Sequence, residues 1–108
     1  MNTEIQLAAI ITRATAYLLG LVVRQGLTRT SISIEARRVY VWHHTTDYRW
    51  GVVIVIGRRS GRVLYGRVLH DDRPRSVPVP ELRGAALRDA LTELGRRIRR
   101  DAWFRSLD

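Results

Sequence analysis

Along the chain the apolar residues follow a helical spacing, switch to an alternation of two between Thr28 and His70, and return to a helical spacing near the C-terminus. In the first block Leu7, Ile10, Ile11, Ala14, Tyr17, Leu18, Leu21 and Val22 fall within an arc of about 140°. This predicts a helix over about residues 3–25, capped by Asn2 or Thr3 and stopped by Gly26. A second stripe of Ile5, Ala9, Thr12, Ala16, Leu19 and Val23 lies opposite, and only Gln6, Arg13 and Arg24 form a polar wedge. A helix with water along one side carries more charge than this. The second stripe is therefore expected to be covered, by the other helix or by a second copy of the chain. Ala9, Ala16, Leu19 and Val23 are the candidate interface residues.

The central block predicts strands over about 30–35, 39–44, 51–57 and 62–70. Residues 28–44 read equally as two strands or as one long bulged strand, because Glu35-Ala36-Arg37-Arg38 contains no Gly, Asn or Pro. Val52 to Ile56 is apolar without a break, as a strand covered on both faces requires. Arg58-Arg59-Ser60-Gly61 has the composition of a hairpin turn. Gly61-Arg-Val-Leu64 recurs as Gly66-Arg-Val-Leu69, and in a regular strand that offset of five puts equivalent residues on opposite faces.

A loop punctuated by Pro74, Pro78 and Pro80 leads to a second helix, expected over about 80–101. Leu87, Ala90, Leu91, Leu94, Ile98 and Ala102 form its apolar stripe, with Asp89, Glu93, Arg96, Arg99 and Arg100 on the other side and Glu93 spaced to pair with Arg97. With a stop near Asp101, the tail residues Trp103, Phe104 and Leu107 must dock separately, lie on a partner or hang exposed, and Trp103 and Phe104 join the candidate interface. The expected fold is α+β, a single domain over 1–108. It has an N-terminal helix, an antiparallel meander of three to four strands and a C-terminal helix, with both helices on one sheet face.

Composition narrows the chemistry. The 108 residues are 45% hydrophobic, enough for a real core. They include no Cys, which excludes disulfide frameworks, thiolate metal sites and thiol nucleophiles. All 19 basic residues are Arg, set against 10 acidic residues, for a net charge of +9. Polyanions are the natural partners of such a surface. Without Lys there is no Schiff-base amine and no Walker A loop. The apolar run from Ala14 to Val23 is too short to span a bilayer, and Glu4 stands where a signal peptide would be basic. A cytoplasmic protein without membrane contact is expected.

A meander gathers different side chains at its two ends. A register setting Gly57 opposite Arg62, Gly51 opposite Val68 and Val39 opposite Ile56 collects Arg37, Arg38, Arg58, Arg59 and Arg62 at one rim. These are the candidate nucleic-acid-binding residues, suited to backbone phosphates. The other end collects His43, His44, Asp47, Arg49, Trp50, His70, Asp71 and Asp72. Imidazoles and carboxylates suit a metal or an acid-base pair, but His43 and His44 are adjacent on a strand and point to opposite faces. No catalytic, metal or cofactor site is assigned to them. The reading that follows is a small basic non-enzymatic nucleic-acid-binding protein. The alternative is a homodimeric interaction module, such as a small phage or mobile-element accessory protein docking on a host nucleoprotein machine. A metal-dependent enzyme using the His/Asp end ranks third.

Overall fold

A computed structural model describes residues 26–71, 73 and 76–107 of the chain. The expected N-terminal helix, with Ala9, Ala16, Leu19 and Val23, lies outside the described residues, as does Asp72. Four strands, β1 (Arg29–Ile34), β2 (Arg38–His44), β3 (Trp50–Gly57) and β4 (Val63–His70), precede one helix, α1 (Gly84–Ser106). The strands form one antiparallel sheet in the order β1-β2-β3-β4, so this part of the fold is α+β.

Residues 28–44 make two strands, joined where the Glu35 N–H donates to the Arg38 carbonyl at 2.9 Å. Neither Ala36 nor Arg37 takes a positive φ. The turn therefore needs no Gly or Asn, which is why composition does not mark it. The β3–β4 turn is of the marked kind: Gly61 sits at φ 69° and its N–H donates to the Gly57 carbonyl at 2.9 Å.

Between β2 and β3 the expected register holds, with Val39 opposite Ile56 and His44 opposite Gly51. Between β3 and β4 it holds only at the turn, where the Gly57 N–H donates to the Arg62 carbonyl at 2.9 Å. Val55 then faces Tyr65 while Ile56 faces Val63, so Leu64 is an extra residue, and beyond it Gly51 meets Leu69 instead of Val68. This bulge also overturns the expectation for the repeated Gly-Arg-Val-Leu segments. It brings them into phase, so Val63 and Val68 both pack on the helix side of the sheet.

On that side Leu87, Leu91, Leu94 and Ile98 of α1 cover Val39, Val41, Trp50, Val52, Ile54 and Ile56. The opposite side buries Val53, Val55 and Tyr65, with Tyr40 and Leu64 against them, which accounts for the unbroken apolar run of β3. Both ends of α1 differ from expectation. Residues 81–83 are extended, because Leu82 and Gly66 exchange two N–H···O bonds of 2.8 Å, and the helix starts at Gly84. It continues past Asp101 to Ser106, where no Gly or Pro interrupts it and Arg105 reaches back to Asp101 at 3.2 Å. Among the described residues no helix is long and apolar enough to cross a membrane.

Candidate nucleic-acid interface

Because β2 and β3 are neighbours, the β1–β2 and β3–β4 turns lie side by side at one rim of the sheet. They are joined by the Arg58 N–H, which donates to the Arg37 carbonyl at 3.0 Å, and by Arg58 Nη1, which donates to the Glu35 carbonyl at 3.1 Å. The space between them is an open concavity of about 600 Å³ lined by Ala36, Arg37, Gly57, Arg58, Arg59 and Ser60. A second hollow adjoins it, lined by Glu35, Ala36, Arg37, Arg38 and Tyr40. Arg37, Arg58 and Arg59 therefore converge as the sequence suggested. Arg62 is exposed at the same turn without lining the concavity, and its N–H is held by Ser60 Oγ at 3.2 Å.

Arg38 takes a different direction. Its guanidinium stands 5.9 Å from the centre of the Tyr65 ring, and the Tyr40 hydroxyl, then Tyr65, raise its pKa above the ordinary value. Arg67 and Arg83 each stand 5.5 Å from the same ring. Sequence reasoning missed these two. Arg67 shares a face with Tyr65 by the alternation of β4, a signal the sequence already held, and Arg83 approaches because Leu82 bonds to Gly66.

Ion pairs engage six of the described arginines and leave out the rim, as they leave out Arg29, Arg88, Arg99 and Arg100 among the described residues. Arg49, Arg67, Arg83, Arg96, Arg97 and Arg105 all have carboxylate partners between 3.0 and 3.7 Å away, including the expected Glu93–Arg97 pair at 3.4 Å. Among the described residues none of Arg37, Arg38, Arg58, Arg59 and Arg62 has one.

At the other end the polar side chains are tied to each other and to α1. His43 is buried on the helix side, its Nδ1 3.0 Å from Thr30 Oγ1, and burial together with neighbouring His44 lowers its pKa. His44 lies on the opposite face with its ring 4.8 Å from that of Tyr48, a residue held at φ 60°. His70 is 6.1 Å from the Trp50 ring. Asp47 accepts bonds from the Thr45 hydroxyl at 2.6 Å, the Arg49 N–H at 3.1 Å and Arg105 Nη2 at 3.1 Å, which hold its pKa down to about 2. Arg49 also bridges Asp71 and Asp101 at 3.7 and 3.3 Å, fastening α1 to the end of the sheet. Among the described residues no three His, Asp or Glu side chains are grouped to hold a metal.

Trp103 and Phe104 pack edge to face on the last turns of α1, 5.1 Å between centroids, with 58% and 56% of their surfaces exposed. They form a pair on the helix itself rather than a separately docked tail. No protein-family model, curated protein or solved structure matches this chain.

Proposed function

We propose that the protein binds nucleic acid without acting as an enzyme, and that it does so through the phosphate backbone. Arg37, Arg58 and Arg59 line the receiving concavity, and Arg38 and Arg62 flank it. The observation that carries this reading is the convergence of Arg37, Arg58 and Arg59 on one open concavity, where among the described residues no carboxylate pairs with them. Arg37 and Arg59 offer their forked donors to a phosphate, and Arg58 has donors left beyond the one spent on the Glu35 carbonyl. Turn-borne arginines reach a backbone more readily than a groove floor, so base identity should matter little.

The test is a salt titration of binding to generic duplexes. Five phosphate contacts give a log-log slope of about −4 to −5, and Arg58→Ala with Arg59→Ala should reduce its magnitude by about 2 across all sequences. Absence of binding at about 50 mM salt overturns the rim reading. The interaction-module reading would then lead, supported by the exposed Trp103–Phe104 pair. Loss of partner capture in a Trp103→Ala, Phe104→Ala variant would test it.

A further inference from the structure

The two edges of the sheet are treated differently. The outer edge of β4 is engaged by Leu82, whereas among the described residues nothing pairs with the outer edge of β1. All residues of β1 are exposed, and Ile32 and Ile34 keep 50% and 54% of their surfaces in contact with solvent. The strand has no Pro, bulge or interior charge of the kind that protects a free edge. Because the Glu35 N–H points across to β2, the odd-numbered residues of β1 turn their N–H and C=O groups inward. Thr30, Ile32 and Ile34 therefore turn theirs outward.

We infer that β1 pairs antiparallel with β1 of a second copy of this chain, joining two sheets into one across a two-fold axis at Ile32. The sequence of the edge selects both occupant and register. With Ile32 opposite Ile32, outward-facing Thr30 meets outward-facing Ile34, Ser31 meets Ser33, and Arg29 meets Glu35 at each end. Every outward N–H and C=O between Thr30 and Ile34 gains a partner, the Ile side chains gather on one face, and opposite charges sit across from each other twice. Centring the axis on Ser31 or Ser33 instead keeps the faces but breaks the Arg29–Glu35 match. A shift of one residue puts Ile opposite Ser on the wrong face. The same pairing sets the second copy's Arg29 beside Glu35, the acidic residue lining the arginine rim. The dimer does not depend on what the rim binds.

The chain has no cysteine, so single-cysteine crosslinking reads the register directly. In nucleic-acid-free protein, Ile32→Cys should form an intermolecular disulfide under mild oxidation, because opposed Cα atoms in such a pair are about 5.5 Å apart. Ile34→Cys should not, since its counterpart lies about 13 Å along the strand. By light scattering, the wild type should run at twice the chain mass at high micromolar concentration. Arg29→Glu should raise the dissociation constant at least tenfold, and Arg29→Glu with Glu35→Arg should restore it. Circular dichroism checks that each variant stays folded. A monomeric wild type, equal crosslinking at positions 32 and 34, or a dimer that survives Ile32→Lys would overturn the proposal. The last outcome would move the interface to another surface.

Discussion

Gly66 shows how one side chain, or its absence, places an element. A Cβ at this position would lie 2.6 Å from Leu87 Cδ1 and 3.3 Å from the Val53 carbonyl oxygen. The missing side chain thus sets how closely α1 can lie on β4. Gly66→Val should destabilise the fold by about 1–3 kcal/mol through overpacking, and combining it with Leu87→Ala should cost less than the sum of the two single changes. Urea unfolding with an unchanged m-value would check it, and equal stability of Gly66→Val and wild type would show that α1 can shift without cost.

At the scale of elements, β1 is attached to the rest of the sheet by its ladder to β2 and by the Thr30–His43 bond, and the burial of His43 on β2 makes the stability of the sheet depend on pH. His43 has a folded pKa below its ordinary 6.5, so below about pH 6.5 the unfolded chain binds more protons than the folded one. Stability should be flat above that value, fall as pH drops through the window beneath it, and level off below the folded pKa. Thermal melts from about pH 7.5 to pH 5 should show the fall, and His43→Val should remove it. Asp47 acts in a separate window. Its pKa is depressed from 3.8 to about 2, so its contribution is fully present above the ordinary carboxylate range and is lost as pH falls through about 2. A stability decline above pH 5 that persists in His43→Val would assign the effect to another group.

For the molecule as a whole, the charge pattern matters more than the total of +9. Acidic residues are used to fasten α1 at the Asp47, Asp71 and Asp101 end, and among the described residues no carboxylate pairs with the rim arginines. Whether the rim works as a field of charge or as a set of forked donors can be separated by Arg58→Lys with Arg59→Lys. If phosphates are held bidentately, this variant should lose several-fold in affinity for a duplex at unchanged melting temperature. Unchanged affinity would mean that charge alone suffices.

Sequence by itself was enough for features that depend on local pattern: the strand character of β3 from Val52–Ile56, the Leu87–Leu91–Leu94–Ile98 stripe of α1, and the gathering of arginines at one rim. The rim was legible because turn positions decide which residues share an end of a meander, and a slip of one residue leaves the ends alone. Faces are more sensitive. The bulge at Leu64 reversed them along most of β4 and brought Val63 and Val68 to one side, and no composition signal marks it. The start of α1, the carboxylates that tie up Arg49 and Arg105, and the place of β1 at the edge of the sheet, unpaired on its outer side among the described residues, were likewise decided only by the tertiary structure. Each depends on a hydrogen bond or ion pair, made or left unmade, between residues distant in the chain, which periodicity along a single segment cannot encode.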